Sequence, residues 1–575
     1  MRNPLAIFFA AIGLAAACNY LLYSNAGHAP GISVVIFFAL YAAIFIGIAL
    51  YNRTALRLRN LWPLPFFLYF ALMIVFRENE FLTTLNLLAV FSGMLFLPFY
   101  LAAGSLQTIG LLNGALIPLH IGRAALVSGA TLHREMKTQR AEQAAQGGQR
   151  SWISRHWGAV ARGILISLPF LIFFGALMVS ADEIFADVLA RVFSVEILDW
   201  IFSGIGLVFR LTIFGWLAAG VLVYALVLRP AAPARSPLEA SVLEVTKVFQ
   251  LAFVETITVL TLVNLLFVSF VVIQISYLFG GVEYLATAED FTYSDYARSG
   301  FFELVITAVF CVAFVLAAQR LSQRTGDTQQ RWFGALTALL LALVLVLLVS
   351  AYNRMALYES TFGYTELRLQ VYVFIAWLAI LLAYLIGVIL SDKSQFAVVG
   401  MVGAALGFLV TLNAINPDAF IVKRNVERHL TMTQSPTAEA QTDSSQATAT
   451  EARARPANPG ERSRTRRDSR VSHDPMLDIS YLNSLSNDAV PELLAAHERL
   501  KSAPVAAAQI QRGLDRRRTE LQEQEQNYNM SEGSRPGWQS WHYGRKRSAT
   551  LLGVQQTQKV TSPDAISSPP TDGRR

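Results

Sequence analysis

Long apolar runs separated by short polar segments occupy the chain from Pro4 to Ile415. The clearest run, Gln370 to Leu390, has about 20 residues without a charge, which at 1.5 Å per residue spans a hydrocarbon core of roughly 30 Å. The apolar residues are bunched and do not alternate at the short period of half-buried strands. The pattern predicts an all-α fold, a polytopic transmembrane helix bundle.

The apolar runs predict about eleven spans. Their predicted limits are Pro4–Tyr23, Gly31–Tyr51, Leu61–Phe76, Phe81–Ala103, Gly163–Ser180, Ile201–Val227, Leu251–Phe279, Phe301–Ala318, Phe333–Tyr352, Gln370–Leu390 and Ala397–Ile415. A further run, Thr108 to Val127, contains Pro118, His120 and Arg123. Counting it as a span would put the basic segment after it on the wrong side, so we predict an interfacial or re-entrant helix.

The chain after the last span divides into a linker and a tail. From 430 to 475 the sequence is rich in Ser, Thr, Ala, Gln and Arg, which predicts a disordered linker. In the tail, Asn487 or Asp488 is placed to cap a helix whose first turn holds Pro491. The predicted organisation is a four-span segment (1–104), an interfacial helix with a basic cytoplasmic loop (105–162), a seven-span core (163–420), the disordered linker (430–475), a small helical tail (476–552) and a disordered end (553–575).

Composition supports a membrane location and argues against several functions. Of the 575 residues, 54% are hydrophobic and 15% are charged. The net charge is +7, but the basic residues lie mostly in short loops beside the spans, where they set orientation, so we predict no nucleic-acid partner. The two cysteines, Cys18 and Cys311, fall inside apolar runs and are too few for a zinc site or a disulfide framework. We predict no metal and no cofactor.

The distribution of Lys and Arg predicts the orientation of the chain. Assigning the loops alternately to the two sides puts about 18 Lys and Arg on one side and about 5 on the other, so the N-terminus is predicted to be cytoplasmic. The acidic connections 181–200 and 280–300 then face the opposite side, together with the polar connection 353–369. An odd number of spans also places the tail outside the cytoplasm. A span count that differs by one would instead place the tail in the cytoplasm.

Two of these outer segments hold a candidate polar cluster. It consists of Asp290, Tyr293, Tyr296, Arg298, Glu303, Arg354, Tyr358, Glu359, Glu366 and Arg368. Such side chains are able to bind a sugar, a lipid head group or a cation, but they also collect at any membrane boundary. On one helix Glu359 and Glu366 would lie about 10 Å apart, which is long for a shared metal. We favour a structural loop over a binding site, and a binding site over catalysis.

Three charged residues inside predicted spans are further candidates, because a charge there costs about 2.5 to 3.5 kcal/mol on insertion scales. They are Arg210, Glu255 and Glu303. A structural interpretation pairs Arg210 with Glu303 or Glu359 between helices, and a functional one places the three on a substrate or proton pathway. Few Gly and Pro residues interrupt these spans, which favours the structural interpretation.

Five segments in this order resemble a family of bacterial membrane proteins. They are TYSDYARSGFFEL (292–304), RMALYESTFGYTELRLQVY (354–372), WLA (377–379), NPDAFIVKRN (416–425) and LDISYLNSLSNDAVPELL (477–494). The resemblance, from Arg123 to Leu552, is to the domain of unknown function DUF4173 and its sister family DUF4153, although the linker after Arg428 is longer than the pattern suggests. It implies a bacterial inner-membrane location and brings no catalytic residue, substrate or cofactor.

We therefore expect a non-catalytic envelope scaffold, sensor or partner-binding protein. Its partners are the lipid bilayer and, for the tail, a candidate protein partner, since short helices after a linker are typical of docking modules. One alternative is a secondary transporter that uses Arg210, Glu255 and Glu303. Another is a membrane enzyme acting on a lipid-linked substrate at the outer face through the Glu and Tyr cluster, although we favour a protein that is not an enzyme. The chain has no GxxxxGK[ST], HExxH, GxSxG or CxxC motif, which argues against an ATP-driven pump, a zinc protease and a thiol oxidoreductase.

Overall fold

The structure is helical throughout its described part, and no strand occurs there. This computed structural model describes residues 4–23, 29–51, 63–103, 111–145, 195–225, 250–279, 301–393, 396–434, 477–530 and 538–554. The all-α fold expected from the apolar runs is confirmed. Because the helices satisfy their own backbone hydrogen bonds, they are suited to cross a bilayer, where no water is present to do so.

The N-terminal and central helices form the bundle. They are α1 (Pro4–Ala17, continued by a π-helical turn, Cys18–Tyr23), α2 (Ile32–Tyr51), α3 (Leu64–Phe76), α4 (Glu80–Ala103), α5 (Leu111–Ala145), α6 (Val195–Val223), α7 (Phe253–Phe279), α8 (Phe301–Leu321), α9 (Asp327–Phe362), α10 (Glu366–Leu390) and α11 (Ala397–Ile415). Among the described residues, nine helices are long and apolar enough to cross a membrane. The protein is therefore a multi-pass membrane protein.

The span count is lower than the eleven that we expected. The expected span at Leu61–Phe76 is only a 13-residue helix, which extends about 20 Å and falls short of a bilayer core. The expected span at Gly163–Ser180 lies outside the described residues. The apolar run expected to be interfacial begins α5, a continuous helix of 35 residues that packs mainly against α6.

Three apolar clusters hold the bundle together. One joins α1, α2 and α6 around Phe45 and Leu222, and a second joins α7 to α10 around Phe333 and Leu340. The third packs α3 and α4 against α10 and α11 around Phe70. Helix α10 contributes to the second and third clusters with different faces, so it lies at the centre of the C-terminal half of the bundle.

The chain beyond α11 is also helical. It contains α12 (Pro417–Gln434), α13 (Ile479–Leu482), α14 (Val490–Arg499), α15 (Pro504–Met530) and α16 (Tyr543–Leu551), with 3₁₀ turns at Asn487–Ala489 and Trp538–Ser540. Pro491 lies in the first turn of α14, as its fixed φ favours. Instead of Asn487 or Asp488, Ser486 caps the preceding turn, accepting a hydrogen bond from the backbone N–H of Asp488. The linker expected at 430–475 lies largely outside the described residues, and α12 continues to Gln434.

We call the described residues from 477 to 554 the tail cap, because they cover one end of the bundle. Apolar side chains of α12, such as Val422 and Val426, pack with Leu482, Leu493 and Ile510 of the tail cap. The tail cap also contacts the beginning of α2 and the end of α3. We call this end of the bundle the capped face. The connections 77–79 and 363–365 both lie on it.

Candidate functional site

A buried carboxylate joins three parts of the chain beneath the tail cap. Asp418, in the first turn of α12, is fully buried. One of its oxygens accepts a hydrogen bond from the Asn79 amide at 2.9 Å, and the other accepts from the backbone N–H of Ser486 at 3.0 Å and from the Ser486 hydroxyl. A buried carboxylate needs several donors to offset its lost hydration. These donors come from the α3–α4 connection and from the tail cap.

A second carboxylate fastens the tail cap to the α3–α4 connection. Asp488 accepts a hydrogen bond from the backbone N–H of Glu78 at 2.9 Å, and burial raises the pKa of Asp488 to about 6. Close by, Nε of Arg545 lies 3.0 Å from a carboxylate oxygen of Glu78.

A neutral histidine also contacts the α3–α4 connection. Nε2 of His542 lies 3.1 Å from the carbonyl oxygen of Arg77, which can only accept, so this nitrogen carries the proton. Because Nδ1 accepts from the backbone of Arg545, the ring is neutral, and burial accordingly lowers the pKa of His542.

A buried arginine orders the turn that holds these contacts. Arg517 of α15 is 4% exposed and donates to the carbonyl oxygens of Asn483 at 3.0 Å, Leu485 at 2.6 Å and Ser486 at 2.8 Å. Five donors in a fixed fork allow one guanidinium to serve several carbonyl groups. Arg517 therefore fixes the loop that presents Ser486 to Asp418.

Polar side chains also link α3, α4 and α11 below the capped face. Arg77 donates two hydrogen bonds, at 2.9 and 2.7 Å, to the carbonyl oxygen of Asn413 near the end of α11, where a cation is favoured by the helix dipole. The amides of Asn413 and Asn86 exchange two hydrogen bonds, at 3.0 and 2.9 Å, and both side chains are fully buried. The two amides thus satisfy each other's hydrogen-bonding groups, for which lipid acyl chains offer no partner.

The connection between α9 and α10 is held by α12. Gly363 ends α9 with a φ of 76°, a conformation that favours glycine. Asn425 then accepts from the backbone N–H of Tyr364 at 2.7 Å and donates to the carbonyl oxygen of the same residue at 2.9 Å. A Cβ at Gly363 would lie 2.7 Å from Nη1 of Arg428. The connection is thus tightly enclosed.

The predicted arginine and tyrosine side chains of this region contact one another. The guanidinium carbon of Arg368 lies 4.1 Å from the ring centre of Tyr358, and Arg368 also donates to the carbonyl oxygen of Gly363. The Glu359 carboxylate is hydrogen-bonded to the Tyr364 side chain. Burial and this neighbouring carboxylate raise the pKa of Tyr364. These contacts form a compact cluster that joins α9 to α10.

Glu359 and Glu366 do not share a helix face. The expected continuous helix is interrupted, because Gly363 ends α9 and Glu366 begins α10. The Glu366 side chain is within hydrogen-bonding reach of Asn79 and Asp418 and thus belongs to the network beneath the tail cap. The two glutamates therefore take part in separate sets of contacts.

The remaining predicted residues are dispersed. Asp290, Tyr293, Tyr296 and Arg298 lie outside the described residues. Arg354 donates to the side-chain oxygen of Gln274 at 3.2 Å, which links α9 to α7. The described residues contain no group of three or more His, Cys, Asp or Glu side chains arranged to hold a metal ion.

The three predicted intramembrane charges are not brought together. Nε of Arg210 donates to Asn19 at 3.0 Å, and the guanidinium carbon lies 4.2 Å from the ring centre of Tyr23. The expected pairing of Arg210 with Glu303 or Glu359 is therefore replaced by contacts with the first span, because α6 packs against α1. Glu255 accepts from the backbone N–H of Ala252 at 2.8 Å at the start of α7, and Glu303 is exposed in the first turn of α8.

An apolar cavity lies within the bundle below the polar networks. It has a volume of about 720 Å³ and is lined by α3, α4, α8, α10 and α11, with Phe96, Leu316 and Trp377 among its walls. No carboxylate lines it, and the Trp377 ring N–H is already bonded to Thr411 at 3.0 Å. The cavity suits hydrocarbon and offers little to a polar substrate.

One family model matches most of the chain. The family described as Domain of unknown function (DUF4153) matches residues 64–455. The chain belongs to the DUF4153 family. The motif resemblance to DUF4173 is corrected accordingly, since the matching family is the one expected to be its sister. No curated protein and no solved structure matches this DUF4153 protein.

The most enclosed polar residues of this DUF4153 protein were missed by the sequence analysis. Asn86 and Asn413 are amides inside apolar runs, a signal that could have marked a contact between spans. Asp418 lies in the segment NPDAFIVKRN that carried the family resemblance, but that resemblance gave it no role, and Arg517 lies in a run of charged residues without a comparable signal. Their importance arises from partners that are distant along the chain.

Proposed function

We propose that this DUF4153 protein is a non-catalytic envelope scaffold, in which the membrane bundle holds the tail cap in a fixed position for a protein partner. The observation that carries the proposal is the buried Asp418 carboxylate, which is bonded to both the α3–α4 connection and the tail cap. A rigid platform needs this kind of contact, because a buried and fully bonded carboxylate disfavours separation of the joined parts.

The chemistry of the capped face supports a structural role. Asp418, Asp488 and Arg517 are buried and direct their hydrogen bonds to other parts of the same chain. A catalytic carboxylate, by contrast, has to be within reach of a substrate. The contacts of Asp488 and Arg517 therefore favour a structural role over the transporter and over the enzyme acting on a lipid-linked substrate.

The outward face of α15 is the surface that we assign to the partner. It bears exposed charges of both signs, including Arg512, Asp515 and Arg518, while Arg516 and Glu520 approach to 3.9 Å. Mixed charge suits a polar protein surface better than the uniformly negative backbone of a nucleic acid.

We further propose that the capped face is extracytoplasmic in the bacterial inner membrane and that the N-terminus is cytoplasmic. The support is the positive-inside rule, since Arg53, Arg57 and Arg59 follow the end of α2 that is opposite to the capped face. The tail cap is long enough to be translocated regardless of its own charge.

Cysteine labelling tests the orientation. In a background with Cys18→Ser and Cys311→Ala, Ser360→Cys and Ser502→Cys report on the capped face, and Ser391→Cys reports on the opposite face; all three positions are exposed. A maleimide that cannot cross membranes should label the first two in intact spheroplasts and the third only after permeabilisation. Labelling of Ser391→Cys alone in intact spheroplasts would invert the orientation.

A retention assay tests the scaffold. A protease site is inserted at Gly460, the bundle is immobilised through its N-terminus, and the fraction of tail cap that remains bound after cleavage is measured. Asp418→Ala should release the tail cap, whereas Lys423→Ala, at an exposed position of the same helix, should not.

Complementation of a deletion strain then separates a scaffold from a catalyst. Variants that keep normal abundance and a retained tail cap should complement, including Glu359→Gln, which lies away from the Asp418 network. If Glu359→Gln or Glu366→Gln abolishes complementation while abundance and retention are normal, the proposal fails and a ligand or substrate site takes its place.

A further inference from the structure

The last part of the tail cap lies level with the ends of the membrane helices. The carbonyl oxygen of Trp541 accepts a hydrogen bond at 3.1 Å from the backbone N–H of Ile32, the first residue of the α2 span. The Trp538 ring lies 6.3 Å from the Tyr20 ring near the end of the first span. Two separate spans therefore place this segment where the hydrocarbon of the bilayer meets water.

A third helix fixes the same level. The ring of Tyr543 lies 5.0 Å from the ring of Phe76, the last residue of α3. The segment cannot move away from this end of the bundle without losing that ring contact, the hydrogen bond to Ile32 and the contact with Tyr20. Its height relative to the spans is thus set by contacts at three points.

Large aromatic side chains along this segment are partly exposed. Trp538 is 47% exposed, and Trp541 and Tyr543 are each 41% exposed. Tryptophan and tyrosine are enriched at membrane interfaces, because the ring lies among the acyl chains while the N–H or O–H stays hydrated. The exposed face continues along α16, since Tyr543, Arg547 and Leu551 are spaced four residues apart and all three are exposed.

The same face is positively charged. Lys546 and Arg547 are exposed, and no Asp or Glu occurs between Trp538 and Val554. Arg545 is engaged with Glu78, so the two exposed cations are the ones directed outward. Basic residues beside interfacial aromatic residues complement anionic lipid head groups, and each contributes about fivefold in affinity.

We propose that residues 538–551 lie in the head-group region of the bilayer and bind anionic phospholipid through Lys546 and Arg547. Trp538, Trp541 and Tyr543 supply the apolar contact, and the two cations supply the preference for negative charge. This binding does not depend on the proposed protein partner or on which side of the membrane the capped face lies.

Depth measurements on the full chain test the location. A spin label is attached at Thr550→Cys, an exposed position of α16, or at Ser502→Cys, in the charged turn where Lys501 pairs with Glu498, both in the cysteine-free background. In nanodiscs of phosphatidylcholine and phosphatidylglycerol, the label at Thr550→Cys should be shielded from a water-soluble nickel complex and accessible to oxygen, and the label at Ser502→Cys should show the reverse. Equal access of the nickel complex to both labels would overturn the location.

Charge reversal tests the lipid preference. The double variant Lys546→Glu/Arg547→Glu should lose roughly 20-fold to 30-fold in its preference for phosphatidylglycerol over phosphatidylcholine, measured by native mass spectrometry of bound lipid. The control Arg512→Glu/Arg518→Glu, on exposed positions of α15, should keep the wild-type preference. The retention assay confirms that the tail cap stays docked in each variant. An unchanged preference in the first variant, or an equal loss in the control, would overturn the role of the two cations.

Discussion

A carboxylate oxygen of Asp488 lies 2.9 Å from the backbone nitrogen of Glu78, although 410 residues separate the two in sequence. This hydrogen bond ties the tail cap to the α3–α4 connection on the capped face. The N–H of Glu78 precedes the first turn of α4 and lies outside the helical hydrogen bonds, and in the folded protein its partner is Asp488. The C-terminal helices thus complete the membrane bundle and do not merely follow it.

The stability of the docked tail cap should depend on Asp488 ionisation. Burial, the main cause, raises the pKa of Asp488 from 3.8 to about 6, against the opposing effects of the Glu78 N–H and Arg77. The folded state therefore holds the proton more tightly than the unfolded state, and the contribution of Asp488 to the free energy of unfolding declines as pH rises from 3.8 to about 6. Retention measured across this range should show the decline.

Asp488→Asn isolates this contribution. The amide oxygen can still accept from Glu78, but the side chain cannot ionise, so the slope between pH 3.8 and about 6 should be shallower than in the wild type. The contribution of His542 to stability changes with pH in the opposite direction, because a group with a lowered histidine pKa loses stability as pH falls. His542 is present in both the wild type and Asp488→Asn, so its contribution cancels in the comparison. Identical slopes would show that Asp488 does not titrate as the structure indicates.

Replacement of Arg517 should destabilise the tail cap strongly. Arg517→Met leaves three carbonyl oxygens of a buried turn without their donor, which should lower the free energy of unfolding by about 3 kcal/mol. Arg518→Met, at the exposed neighbouring position, should change it by less than about 0.5 kcal/mol. Denaturant titration of the wild type and of both purified variants measures these changes. Equal losses of unfolding free energy in Arg517→Met and Arg518→Met would contradict the role given to Arg517.

The amide pair between α4 and α11 should show coupling. Asn86→Leu or Asn413→Leu alone leaves a buried amide without its partner, at a cost of about 1 kcal/mol. The double variant should lose less than the sum of the two single losses, because no amide is left unpaired. The free energy of unfolding of the wild type, the two single variants and the double variant is measured in mixed micelles. Strictly additive losses would show that the amide pair contributes no interaction energy.

The close approach of α2 to the tail cap should tolerate no side chain. At Gly31 a Cβ would lie 2.6 Å from the carbonyl carbon of Ser540 and 2.7 Å from the carbonyl oxygen of Trp541. Gly31→Ala should therefore weaken retention about tenfold, as overpacking typically costs about 1 to 3 kcal/mol. Gly47→Ala, within α2 and with nothing within 4 Å, is the matched control and should retain the tail cap normally.

The lengths of the apolar runs were sufficient to locate most of the helices and insufficient to identify their partners. Long apolar runs such as Gln370–Leu390 identify spans, because hydrophobic length is a local property. The helix expected near Pro491 was also found, since a first-turn proline acts locally, although neither Asn487 nor Asp488 caps it. Local patterns did not predict that Gly363 separates Glu359 from Glu366, because a glycine in a polar connection is compatible with several backbone conformations.

The partners of the charged residues depend on tertiary packing. Arg210 contacts Asn19 and Tyr23 because α6 lies beside α1, and no pattern along the chain specifies which helices are neighbours. Asp418 meets Ser486 for the same reason. Charge and depth alone suggested a carboxylate partner for Arg210, whereas an amide and an aromatic ring satisfy it.

The separation of Glu78 and Asp488 along the chain also delays completion of the capped face during synthesis. At about 5 to 20 residues per second, the ribosome needs roughly 20 to 80 seconds to add the 410 residues between them. During that interval the N–H of Glu78 and the amide of Asn79 must be served by water or by a chaperone. A nascent chain stalled before residue 477 would therefore expose an unfinished surface, a feature that quality-control proteases of the membrane are able to recognise.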